Sequence, residues 1–132
     1  MKYLLDTNIC IYVIKQKPLS VLKKFSKVKE GSIAISSATV AELYYGIFKS
    51  AKPNENTIAL EQFLAPLVIL NFNKDDSFEY GKIRAELEKK GKMIGAMDLL
   101  IASQAVNRNL ILVTNNQKEF QRIENLTIEN WV

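Results

Sequence analysis

Residues 110–114 read LILVT, four apolar side chains in succession with no polar alternation. A strand with one wet face alternates, so an unbroken apolar strand needs cover on both faces. The same reading applies to YLL (3–5), SIAIS (32–36) and the start of LVILNF (67–72). Between these runs lie segments with helical character: 7–16, 18–29, 38–51, 54–67, 76–91 and 98–109. A short helix at 116–123 and a final edge strand at 126–132 complete the chain. Strand and helix alternate throughout, which predicts an α/β three-layer sandwich with a mainly parallel central sheet flanked by helices.

A chain of 132 residues, 48% apolar, can bury a full core without staples, and its size predicts one domain over 1–132. The lone cysteine, Cys10, rules out an intramolecular disulfide. Its apolar neighbours predict a small buried hydrophobe, which fits a reducing cytosol and a cytoplasmic location. The run 9–14 is too short to span a bilayer, and Lys2 makes a poor signal-peptide start, so neither membrane nor secretion is expected. The net charge of +4 and a pI near 9.1 are compatible with a polyanionic partner. Lysines at 23–29 or 82–92 are candidates for phosphate contact, and solvated helix faces are the plainer alternative.

The absence of histidine removes Ser-His-Asp and Cys-His mechanisms, metal-free nucleases with a histidine acid/base pair, and His-ligated zinc. A hydrolase with this composition works with carboxylates, a metal or a rarer base. In open α/β sheets ligands bind outside the carboxyl ends of the strands, so the residues after each strand matter most. Asp6 follows the first strand. Glu42 lies about a turn into the helix after SIAIS, and Asp98 opens the helix before LILVT. Asn115 and Asn116 follow Thr114, and Glu119 comes shortly after. Each has a local reading as a cap: Asp6 for the helix at Thr7, a capping box in TVAE (39–42), Asp98 as an N-cap, and boxes in TNNQ and NQKE. Yet Asp6, Glu42 and Asp98 sit in apolar surroundings with few cations nearby in sequence. Carboxylates so placed are protonated, paired or metal-bound. Three at one sheet edge repel each other, and a divalent cation with a taste for hard oxygen ligands, Mg²⁺ or Mn²⁺, resolves that. Such a site suits phosphodiester hydrolysis.

LLDTNI, TVAELYYG, MDLLIASQA and LVTNNQKEF resemble, in order, the motifs of PIN-domain ribonucleases, and most closely the VapC-type toxins of bacterial toxin–antitoxin pairs. The resemblance runs over essentially the whole chain, and the tail NNQKEFQRIENLTIENWV is similar to the enteric subgroup. It implies a PIN-like fold, Mg²⁺ or Mn²⁺, and endonucleolytic cleavage of structured RNA. It implies that Asp6, Glu42 and Asp98 form the acidic core and bind the metal, with Thr7, Asn8 and Thr114 in support. Family members often carry a fourth acid two positions after the last threonine. Here that position is Asn116, which can orient a water or ligand but adds no charge, and Glu119 is the candidate replacement. The resemblance further implies the anticodon stem-loop of initiator tRNA as substrate and inhibition of translation as outcome. As partners it implies a VapB-type antitoxin, with region 38–66 the candidate surface, and a homodimer within a larger complex. A non-catalytic or weakly active binding module is the alternative. A DxDxT phosphatase is disfavoured by Asn8 at the second acidic position, and the acid and lysine set of a receiver domain is not seen.

Overall fold

The structure, a computed structural model, describes residues 1–29 and 31–132. Five strands form one sheet: β1 (Tyr3–Leu5), β2 (Ile33–Ser36), β3 (Val68–Leu70), β4 (Ile111–Val113) and β5 (Ile128–Glu129). Their order is β3-β2-β1-β4-β5, and every adjacent pair is parallel. The helices are α1 (Thr7–Lys15), α2 (Leu19–Lys27), α3 (Ser37–Phe48), α4 (Pro53–Leu64), α5 (Lys74–Lys89), α6 (Ala96–Asn107) and α7 (Gln117–Phe120).

The unbroken apolar strands have a simple cause. Successive side chains point to opposite faces, and each face has its own core. Leu4, Ala34 and Leu112 join Ile83 and Leu87 of α5, Leu99 and Ala102 of α6, and Phe120 of α7. Leu5, Ile33, Ile35 and Val113 join Ile9 of α1, Val21 of α2, Leu43 of α3 and Leu60 of α4. Cys10 is fully buried in this second core, as its setting predicts. The result is the expected three-layer α/β sandwich, with the sheet parallel throughout the described strands.

Element ends differ from the sequence reading in ways that have local causes. The helix expected over 38–51 starts at Ser37, because Ser36 caps it: its Oγ accepts from the Ala38 N–H at 3.1 Å. The helix expected from 76 starts at Lys74, because Asn73 and Asp76 form a reciprocal capping box at 3.0 and 2.9 Å. The final strand keeps two residues only. After it Trp131 packs edge-on against Tyr3, 5.3 Å between ring centres, which takes the tail off the sheet.

Asp76 does more than cap. It is fully buried, and Arg108 Nη2 donates to its Oδ2 at 2.8 Å while Asn107 Nδ2 donates to Oδ1 at 2.8 Å. Arg108 Nη2 also reaches the Asn71 carbonyl at 2.8 Å. The group locks the start of α5 and the loop after β3 to the end of α6. Burial pushes the Asp76 carboxyl up, but hydrogen bonds from Arg108, the Asn73 N–H and Asn107, with the Arg108 charge, outweigh it and hold the group at about 2. A depressed carboxyl pKa contributes stability that is present above the unfolded value near 3.8 and is lost as pH falls through about 2. Asp76→Ala is expected to cost about 3 kcal/mol near neutral pH, since it leaves buried donors unmatched. Urea denaturation checks this. The gap between wild type and variant should narrow between pH 4 and about 2, and a constant gap would contradict the account.

Candidate active site

The chain runs from β1 to β2 on one side and later brings β4 back to the other side of β1. The crevice between the C-terminal ends of β1 and β4 is therefore the topological switch point, where open α/β sheets hold their ligands. Two residues stand at its centre. Asp6 follows β1 and donates its N–H to the Val113 carbonyl of β4 at 3.0 Å. Thr114 follows β4, is fully buried, and donates its hydroxyl to Asp6 Oδ2. Asp6 Oδ1 accepts from the Ile9 N–H at 3.1 Å, so Asp6 does cap α1, as its local reading predicts. It is only 4% exposed. Burial raises its pKa, the hydrogen bonds from Thr114 and the Ile9 and Asn8 N–H groups pull it down, and the Glu42 charge raises it again, for a net rise.

The other predicted residues arrive from neighbouring elements. Thr7, first in α1, donates to Glu42 Oε1 at 2.6 Å and lies 3.4 Å from Thr39 Oγ1. The capping-box reading of Glu42 is thereby corrected. Thr39 is already inside α3, so Glu42 faces across to α1 instead of back to its own helix start. Asp98 is the third residue of α6, not its N-cap, which is Gly95. It stands in the first turn, where the helix dipole favours a carboxylate. Asn116 occupies the N-cap position of α7 but makes no side-chain cap. Its N–H donates to Thr114 Oγ1 at 3.0 Å, and its Nδ2 donates to Glu119 Oε2 at 3.2 Å. Asn8 is exposed and touches the site through its backbone only. Sequence reasoning missed the rim: Asn115 Nδ2 donates to the Tyr12 hydroxyl at 3.0 Å, a contact across 103 residues that no local pattern announces.

The electrostatics are those of an uncompensated cluster. Among the described residues no lysine or arginine pairs with Asp6, Glu42, Asp98 or Glu119. Burial raises the Asp98 carboxyl first, the negative charges of Glu119, Asp6 and Glu42 add to it, and it sits at about 6. Asp98 thus senses the other three acids. An all-oxygen donor set of mutually repelling carboxylates fits a hard divalent cation. Among the described residues no three acids already share coordination spacing, so the side chains would have to close around an ion. Beside Glu42 an apolar groove of about 410 Å³ opens between α1, α3 and α4, lined by Ile11, Ile14, Leu43, Ile47 and Leu60.

The PIN domain model matches residues 3–126. The chain is 49% identical to "Ribonuclease VapC2" of Haemophilus influenzae over 132 residues, covering 100% of this chain and 99% of the relative. It is 43% identical to "tRNA(fMet)-specific endonuclease VapC" of Shigella flexneri over 131 residues, covering 99% and 98%. Among solved structures, VapBC2 from Rickettsia felis bound to a promoter DNA fragment superposes with a TM-score of 0.93 at 49% identity, covering 100% of both chains. The chain belongs to the PIN-domain family, as a VapC-type member.

Proposed function

We propose that this chain is the toxin of a VapBC-type pair and a divalent-metal-dependent endoribonuclease that inhibits translation. The observation that carries the reading is the uncompensated acid cluster at the switch point, with Asp98 held at about 6 by burial and by its acidic neighbours. Asp6, Glu42 and Asp98 would hold the ion, Mg²⁺ or Mn²⁺. When bound, the ion lowers the pKa of water and stabilises charge on the phosphate. The chain's own groups prepare the place. Thr114 fixes the orientation of Asp6, and Thr7 fixes that of Glu42. Asn116 serves the site by orienting Glu119, which supplies the fourth carboxylate. The substrate is structured RNA, the anticodon stem-loop of initiator tRNA, which the tRNA(fMet) specificity of the Shigella relative supports.

The partner is a VapB-type antitoxin, as in the VapBC complexes that superpose on this chain. The apolar groove of α1, α3 and α4 is the surface that takes a segment of that antitoxin, and Glu42 is one of its lining residues, so an occupant there lies against one of the acids. Exposed Tyr45 and Phe48 on α3 support a homodimer within the larger complex. The whole of 1–132 acts as one nuclease domain, in the cytoplasm, where both its RNA and a reduced Cys10 belong.

Asp98→Asn tests the site directly. Cleavage of the tRNA hairpin with Mg²⁺ should fall by more than the roughly 10–100-fold that losing a mere supporting group costs. The melting temperature should hold or rise, because the substitution removes a charge that its neighbours repel. Full cleavage by this variant would end the assignment of Asp98, and no cleavage by the wild type would favour a non-catalytic binding module. Thr114→Val should cost about 10–100-fold, with Thr114→Ser close to wild type. Chelation should silence the enzyme, and Mg²⁺ or Mn²⁺ should restore it. Activity that persists in excess chelator would exclude the metal.

A further inference from the structure

The structure separates the two lysine clusters that the sequence presents. On α5 Arg84 pairs with Glu88 at 3.1 Å, and just after it Lys90 pairs with Glu124 at 3.1 Å. Around α2 the described residues show no such pairs. Instead a concave pocket of about 370 Å³ lies beside the end of α2. Lys24 and Lys27 come from the last turns of α2, Lys29 from the segment after it, and Lys2 from the residue before β1. Tyr3 and the buried Trp131 also line it, and the Lys2 ammonium stands 5.2 Å from the centre of the Tyr3 ring. Glu129 is the one lining carboxylate among the described residues, and it already accepts from Trp131 Nε1 at 2.8 Å.

Lysines in the last turn of a helix complement its dipole, which accounts for Lys24 and Lys27. It does not account for Lys2 and Lys29, which reach the same pocket from other segments. Among the described residues, four lysines against one engaged carboxylate make a concave positive surface, and such a surface concentrates anions. Lys2 stands at the opposite end of β1 from Asp6, about 13 Å away for four residues of strand. A nucleic acid cut beside Asp6 carries further phosphates well beyond that distance.

We propose that this pocket binds backbone phosphates of the RNA substrate at a point remote from the cut. The assignment rests on the ribonuclease reading for its choice of RNA. The pocket anchors the substrate without touching the scissile bond, so it contributes affinity and not chemistry.

The test is the full chain carrying Lys24→Gln, Lys27→Gln and Lys29→Gln together. Binding to an initiator-tRNA anticodon hairpin and to duplex DNA of equal length is measured in excess chelator over a salt series. The slope of log affinity against log salt should fall by about two to three for the hairpin, one for each phosphate left without its lysine, and affinity by about 10- to 100-fold. Lys27→Gln alone should remove about one. A control with Lys82→Gln, Lys89→Gln and Lys92→Gln, which removes the same charge elsewhere, should keep the parent slope. An unchanged slope in the α2 variant overturns the proposal. So does an equal loss in the control, which would mean net charge alone, and so does an equal loss on DNA, which would mean a general polyanion surface. Because binding is read without cleavage, a chain that loses RNA affinity as expected but cuts nothing keeps the pocket and refutes the activity instead.

Discussion

The hydrogen bond from Thr114 to Asp6 joins the C-terminal ends of β1 and β4 at the place where the strand order reverses. The rest of the acid cluster is arranged around it. Asp6 is pinned on both oxygens, by Thr114 and by the N–H of Ile9, so its carboxylate has one orientation. The Thr114 hydroxyl has one proton, and it goes to Asp6. Its oxygen is then free to accept the Asn116 N–H at 3.0 Å, which sets the course of the chain into α7 and so places Glu119. On the other side Asp6 starts α1, whose first residue holds Glu42 at 2.6 Å. A line of hydrogen bonds therefore runs from Glu119 through Asn116, Thr114 and the Asp6–Thr7 step to Glu42. Asp98 comes to this line from α6, carried there by a first turn whose dipole favours its charge.

Two buried aspartates show what is unusual about that line. Asp76 is fully buried and receives an arginine, an asparagine amide and a backbone N–H, so it is held at about 2. Asp6 is nearly as buried but receives no cation among the described residues, and its pKa is raised. Asp98 sits at about 6 for want of the same compensation. This chain neutralises a buried acid where the role is structural and leaves several acids unneutralised at the switch point. Carboxylates kept close against their mutual repulsion lower stability, and such costs cluster at functional sites. The apolar second core beneath them, with Leu5, Ile9 and Ile35 fully buried, supplies the rigid base that keeps them there.

Much of this was legible in the sequence. LILVT and SIAIS read as doubly covered strands, and the structure covers both faces of each. The position of Asp6 after an apolar strand was enough to place it at the C-terminal edge of the sheet, and its local reading as a cap was also correct. The two roles coexist because one oxygen caps α1 and the other meets Thr114. What local patterns missed depended on partners far along the chain. The TVAE box failed because Ser36 starts α3 earlier, which leaves Glu42 one turn too deep to fold back, and its true partner Thr7 lies 35 residues away. The Asp76–Arg108 lock spans 32 residues and carries no periodic signal. The α2 pocket gathers Lys2 with lysines more than 20 positions later, a convergence that only the β1–β2 pairing creates.

The proposed function requires Asp6, Glu42 and Asp98 to hold a divalent cation. Manganese binding measured by calorimetry, with melting temperature followed in parallel, addresses it without any RNA. Saturable binding is expected at the wild-type site, with a rise in melting temperature that grows with ion concentration. The same titration should show the site abolished in Asp6→Asn and in Asp98→Asn, each still folded. Equal manganese affinity in wild type and both variants would contradict the account.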